Sequence, residues 1–596
     1  MKKLFIFAMA FGLAACATDD ADVKGGLTGG DAEVNYLNIS VMSATGTRAD
    51  YDNENGYEDG LTDESTVSSA RFYFFYENGD AAPVDAGGSK SYADFPSSDQ
   101  ALNPGDGISP NVTKIIDAVV VIKRKVNSST GEISDLPQEV IAVLNYGTTL
   151  QQLHTEKGEM IKRSDLVDYI NSFDGATAGN FVMSSSVYKE NTTGAVSLAG
   201  KLYADADLAK NNPVKVYVER LVSKVDLSID QAIKGVGDNV TAETNRTLYD
   251  TGVTVDGEKV YVEFLGWGVT GNANKSYLVK SVNEEWPNEA METTNLFRTA
   301  GEPWSYADFF RSFWAINPSD VTLTYTQSYN DFVTNTFGES NIAYLPENAG
   351  KAAGSASDNW VGAANEKASN VVVAAKLVKS DGTEFEIAEY GGTQTTVAAI
   401  KNKMLALFTD KPWRAKVGDE GEGYTQITAN DVEYKTTLSV DGESTGKGYF
   451  VYLRLTEAAQ AYTWYSTDPS QEPMPEPMAD AATTINEDLK ELGHAKVWAK
   501  GQTYYFLDIQ HLANPTFTEE GEALVAAKLA TPGYYGNVRN HVYKTNIKSI
   551  KGLGTPVYDP DESIIPEIPE DAEVYIAADI RILSWRIVSH DYDLGW

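Results

Sequence analysis

Cysteine occurs once in 596 residues, at position 16, so no internal disulfide and no multi-cysteine zinc site can form. Histidine is nearly as scarce: His154, His494, His511, His541 and His590 are the full set, and no two stand at metal-ligand spacing. There is no nucleophile elbow, no phosphate-cradling glycine loop and no zinc signature. Basic residues are also short, 48 against 85 acidic for a net charge of -37, a balance that repels nucleic acid and anionic membrane surfaces. No apolar run reaches membrane-spanning length, and no internal repeat recurs at a fixed period. Nothing in the residues calls for a cofactor or a metal, and nothing marks the chain as an enzyme.

What is present supports real cores. Hydrophobic residues make up 42% of the chain, with 33 tyrosines and 21 phenylalanines, so it is not a disordered polymer. The first residues read Lys2, Lys3, an apolar run from Leu4 to Phe11, then Leu13-Ala14-Ala15-Cys16. That is a secretory signal over residues 1–15 ending in a lipobox, with Cys16 as the acylated residue. The expected product is exported and attached to the outer membrane as a lipoprotein, its lipid including palmitate.

Most of the remainder is strand-forming. Val34 to Met42 alternates cleanly, with Leu37, Ile39 and Val41 on one face. Further β-rich runs are Arg71 to Tyr76, Ala118 to Lys125, Glu139 to Asn145, Val214 to Val218, Val260 to Trp267, Asn370 to Val378, Tyr449 to Leu455, Thr503 to Ile509 and Val542 to Ile550. Helices are few: Ser164 to Phe173 opening on a serine cap, Thr395 to Phe408, an aromatic patch from Ser305 to Trp314, and a capping box at Thr484 opening a helix through Leu492. Many short strands with few helices indicate an all-β chain of sandwiches with minor helical insertions. Ser43 to Asp63 and the proline-rich Ser466 to Ala482 read as a linker and a surface loop, and a softer boundary lies at Asn211-Asn212-Pro213.

Two segments carry the functional signal. After an acidic tether punctuated by Pro556, Pro560, Pro566 and Pro569, the chain ends in an extended apolar run, Val574 to Leu594. Ile580 and Ile582 share one parity; Leu583, Trp585 and Ile587 take the other, which implies a bulge or two strand segments. Alone, this is equally an ordinary last strand or an exchangeable strand in need of an acceptor. The second signal is Arg48, the only basic residue between Lys24 and Arg71, in a small polar linker open to an arginine-specific protease. The acids around it, Asp50, Asp52, Glu54, Glu58 and Asp59, put a glycine at the wrong place for an EF-hand and read as solvated linker.

The chain resembles the fimbrillins of type V pili, most nearly the shaft subunits of minor fimbriae. The likeness is carried by Asn537-Val538-Arg539-Asn540-His541-Val542-Tyr543, by Ile547-Lys548-Ser549-Ile550-Lys551, by the acidic proline tether, and by the ending Ile580 to Ser589. Val216 to Val222, Tyr344-Leu345-Pro346-Glu347-Asn348 and the lipobox agree with it, whereas several middle insertions have no counterpart. The resemblance implies two transthyretin-like β-sandwich domains plus an exchangeable C-terminal donor strand. Its divisions are a 1–15 signal peptide, a 16–48 lipidated propeptide holding the removable strand, a 49–213 N-terminal sandwich, a 214–555 C-terminal sandwich, and a 556–596 tether and donor.

It further implies cutting between Arg48 and Ala49 by an arginine-specific surface protease. Loss of Leu37, Ile39 and Val41 would open a groove for Ile580, Ile582, Leu583, Trp585, Ile587 and Val588 of another copy. Burying about six such side chains at roughly 1.5–3 kcal/mol each is worth about 9–18 kcal/mol before ordering costs. Partners would be other copies in a filament, tip and anchor subunits, and surfaces met in adhesion and biofilm formation. The competing expectations are a surface glycan-binding lipoprotein or glycosidase, and a tip or anchor subunit.

Overall fold

Strand runs that alternate bury one face, and runs that do not alternate bury both. The computed structural model of the chain contains both kinds. It describes residues 34–44, 61–96, 102–103, 112–123, 129–130, 135–172, 181–187, 193–229, 247–281, 317–318, 321–324, 327–333, 342–348, 369–436, 439–440, 443–444, 450–509, 536–561, 564, 576–583 and 586–595. Cys16, Arg48, Ala49, Trp585 and the Ser305 to Trp314 patch lie outside the described residues.

The strands that matter for function are β1 (Val34–Ala44), β2 (Ser69–Phe75), β3 (Val112–Lys123), β4 (Glu139–Leu144), β5 (Met183–Ser185), β6 (Val214–Arg220), β7 (Val222–Ile229), β8 (Glu258–Thr270), β9 (Ile342–Pro346), β10 (Asn370–Val378), β11 (Gln502–Asp508), β12 (His541–Lys551), β13 (Ile576–Leu583) and β14 (Arg586–Gly595). One sheet runs Tyr92–Pro96, β2, β4, β5, β6, β1, β3 and Leu102–Asn103. It folds back on itself, because Phe72, Phe74, Val140 and Ala142 from one half pack with Leu37, Val120, Val214 and Val216 from the other. The opposite face of β2 and β4 is buried too: Tyr73, Phe75, Ile141 and Val143 pack on Leu153 and Leu166 of two short helices.

The second unit is a two-sheet sandwich. One sheet is β9-β7-β12-β13-β14; the other is Tyr249–Val255, β8, β10, β11 and Thr555–Pro556. Val225, Leu227, Tyr543 and Ile547 of the first meet Val260, Trp267, Val371, Val373 and Leu507 of the second. On β10, Val372 and Ala374 face a smaller core on the far side, which is why Asn370 to Val378 reads as an unbroken apolar run.

Residues 387–498 add a third core of their own, in which Ile400 and Met404 of the helix Val397–Ala406 and Ile485 and Leu489 of the helix Ala481–Glu491 cover Val451, Leu453 and Trp464.

Several sequence expectations need correction. Ser164 lies inside a helix spanning Arg163–Val167, whose cap is the Asp165 carboxylate accepting from the Lys162 amide at 3.0 Å. Thr484 does not open its helix, which starts at Ala481 because burial of Ile485 and Leu489 sets its extent. The start of the tether packs rather than floats. Val557 is buried, Tyr558 packs on the inserted core, and Asn330 donates from its amide to the Pro560 carbonyl at 3.3 Å. Apolar residues spaced among the acids and prolines hold it down. Val214–Arg220 belongs to the first sheet, so the chain passes to the second at Leu221, eight residues beyond the division drawn at 213/214.

Candidate functional site

β1 lies inside the first sheet, between a parallel partner and an antiparallel one. Against β6 it pairs Ile39 with Val214 and Val41 with Val216; against β3 it pairs Leu37 with Val120, Ile39 with Ala118 and Val41 with Ile116. Leu37 is wholly buried in the first core. Taking β1 away would therefore leave β3 and β6 each with an unpaired edge and empty the Leu37 position between them.

The tail is placed differently. β13 and β14 form a hairpin at the rim of the second unit's sheet, with Ile582 paired to Ile587 and Arg581 to Val588. β13 runs antiparallel to β12, pairing Ile580 with Thr545, Ile582 with Tyr543 and Leu583 with Val542. The switch of parity begins at Leu583, the last residue of β13, and Ile587 lies in β14, so it marks two strand segments. Here the tail rests on its own chain.

Between the slot and the tail lies the feature that sequence reading did not find as a site. Glu64, Glu219 and Glu347 meet Arg220, Lys224, Lys280 and Arg539 at the junction of the two units, and none is more than 3% exposed. Lys224 Nζ stands 2.9 Å from Glu64, Lys280 Nζ 2.9 Å from Glu219, and Arg539 Nε 2.9 Å from Glu347. Arg220 donates from Nε to the Glu64 carbonyl at 2.7 Å and from Nη1 to Asn540 Oδ1 at 2.8 Å. Asn540 takes a left-handed φ of 59°, which asparagine tolerates better than most side chains, and its amide donates to the Val222 carbonyl at 2.6 Å.

Burial shifts the chemistry of these groups. It drives Lys280 below the ordinary lysine range, against the pull of Glu219 and Glu347. It raises the Tyr344 phenol well above its usual range, and the bond from that hydroxyl to Glu64 adds to the shift. Buried pairs of this kind add little net stability over apolar packing, but removing one partner leaves a bare charge at a cost of roughly 3–5 kcal/mol.

A strap completes the junction. After β8 the chain returns to the first unit, where Lys275–Tyr277 pairs with Ile170–Ser172 and Leu278 and Val279 enter the core beneath the two short helices. Gly194 faces Val279 with φ of 69°, and a Cβ there would stand 3.2 Å from the Ser185 carbonyl oxygen. Arg539 anchors the strap from the other side, donating to the Leu278 carbonyl at 3.1 Å and to the Tyr277 carbonyl at 2.6 Å. The segments Val216 to Val222, Tyr344 to Asn348 and Asn537 to Tyr543, far apart in sequence, thus converge on one place. Charged residues embedded in strand-like runs, Glu219-Arg220 and Arg539, were the available signal.

Residues 496–591 match the family model described as Major fimbrial subunit protein type IV, Fimbrillin, C-terminal. No curated relative matches the chain. Among solved structures, the chain is similar to a fimbrilin from Porphyromonas gingivalis W83, at 10% identity over 89% of this chain and 93% of that one, with a TM-score of 0.29. It is also similar to the tip fimbrial protein Mfa3 of Porphyromonas gingivalis with C-terminal truncation, at 12% identity over 87% of this chain and 95% of that one, TM-score 0.27. A fimbrial assembly protein from Parabacteroides distasonis ATCC 8503 gives 11% identity over 71% and 96%, TM-score 0.25. Structural likenesses of this order carry no conclusion of their own.

Proposed function

We propose that this fimbrial subunit, recognised by the fimbrillin region at residues 496–591 and structural rather than catalytic, is the polymerising shaft subunit of a cell-surface fimbria. Cys16 carries the lipid that holds the precursor on the outer membrane. An arginine-specific surface protease cuts between Arg48 and Ala49, and β1 leaves with the propeptide. The tail of a second copy, through Ile580, Ile582, Leu583, Trp585, Ile587 and Val588, then fills the slot by β-augmentation. Slot and donor lie on different parts of one chain, so the contact is heterologous and an open filament results. Tip and anchor subunits close the two ends, and the fibre serves adhesion and biofilm formation.

The observation that carries this reading is the setting of β1 between β3 and β6. A strand so placed, followed by a linker with a single arginine, is a piece whose removal would make an acceptor with two open edges. The test is negative-stain microscopy of purified protein before and after arginine-specific proteolysis, with N-terminal sequencing of what assembles. Filaments should form only after the cut, and their subunits should begin at Ala49. Filaments built of subunits that retain Val34 to Met42 would overturn the proposal.

A further inference from the structure

Glu64 is where the chain enters the junction, sixteen residues after Arg48. It is wholly buried. Its carboxylate is held by Lys224 of β7 at 2.9 Å, by the Tyr344 hydroxyl of β9, and by the Leu61 amide at 2.8 Å; its carbonyl accepts from Arg220 at 2.7 Å. A second clamp follows at once. Asn145 donates to the Thr66 carbonyl at 2.7 Å and accepts from the Ser68 amide at 2.7 Å. Of these partners, Lys224 and Tyr344 belong to the second unit's sheet and Asn145 follows β4. None of them lies on β1.

We propose that Glu64 is a latch: the buried anion that keeps the stretch after the removable strand locked into the junction, so that cutting ahead of it frees β1 without parting the two units. The junction then owes its integrity to buried charged and hydroxyl groups on β6, β7, β9 and the 61–68 stretch rather than to the strand that is lost. Glu64 is a positioning residue in this scheme, since it touches β6 only at Arg220, beyond the positions 214–218 that pair with β1. The second half of the proposal rests on the cleavage reading above; the latch itself does not.

The experiment is amide hydrogen exchange on the full chain, before and after arginine-specific proteolysis, with the product's N-terminus read by mass spectrometry. In the uncut chain, Glu64→Gln should speed exchange over residues 61–68 and β7 at least about tenfold, because Lys224 loses the Glu64 carboxylate and the Tyr344 hydroxyl and Leu61 amide lose a charged acceptor. Tyr344→Phe, which keeps the ring and deletes one bond to the carboxylate, should give a smaller rise at the same amides. Lys259→Met, breaking the exposed pair with Asp250, should leave them unchanged.

After cleavage, the wild-type chain should lose protection along β3 and β6 and keep it at 61–68. Unchanged exchange in uncut Glu64→Gln overturns the latch, and so does loss of 61–68 protection in the cut wild type. If the protease spares Arg48 while Glu64→Gln still loosens the junction, the cleavage reading fails and the latch stands.

Discussion

β1 and β13 are both alternating apolar strands near a chain end, yet the fold treats them oppositely. β1 is flanked on both sides, and Leu37 lies in the middle of the first core. β13 belongs to a two-strand flap that, among the described residues, joins the rest of its sheet through β12, which pairs with β13 antiparallel and with β14 in parallel. A strand set into a sheet leaves only when the chain is cut and its core opened; a flap at the rim can peel with little else disturbed. The contrast fits the proposed proteolytic step at one end of the molecule and the proposed strand donation at the other.

The sharpest break of that contrast is Arg48→Ala. It should abolish filaments outright while leaving the melting temperature of the uncut monomer where it was, measured by microscopy alongside calorimetry. Filaments from this variant would mean that β1 can leave without a cut.

Deleting Val574 to Trp596 should be as severe for assembly but mild for folding. The expected product is a soluble monomer, still cleavable, melting within a few degrees of the full chain. Unfolding of the second sandwich would make the tail an ordinary last strand and erase the difference from β1.

Two point changes sharpen the comparison within the monomer. Leu37→Ala should destabilise the uncut chain by roughly 2–5 kcal/mol, since it hollows a closed core. Ile582→Ala should cost the same chain under about 1 kcal/mol if the hairpin of β13 and β14 is as detachable as proposed, while shortening filaments formed after cleavage. Chemical denaturation of both, followed by filament-length distributions, checks the pair. Equal costs would place both strands in the same class.

Much of this was legible from residue patterns. The strand runs Glu139 to Asn145, Asn370 to Val378 and Thr503 to Ile509 were read to within a residue or so, because apolar runs bounded by polar residues leave few alternatives. The helix Val397–Ala406 fell inside the stretch read from Thr395 to Phe408, while its cap, Thr396 accepting from the Ala399 amide, came only with the structure. Long-range pairing was not. Nothing local says that Glu64 will meet Lys224 and Tyr344, or that Leu278 and Val279 will cross into the other unit's core, because those contacts are set by topology. The packed start of the tether escaped notice for a related reason: composition weighs its acids and prolines but not the surface waiting for Val557 and Tyr558. The parity switch at Leu583 was visible, and only strand pairing showed it to be a hairpin.

The backbone from Val214 to Ile229 belongs to both sheets, with Leu221 alone between its two halves. In a fibre under flow, a pull arriving on β6 travels down this continuous length and crosses to β12 through the parallel ladder from Lys224–Val542 to Ile229–Ile547. Hydrogen bonds in such a ladder lie across the direction of the pull, so they strain as a group instead of opening one after another. In the proposed shaft role the subunit would behave as a short length of cord spliced side to side, sharing a stretch over the whole overlap of β7 and β12.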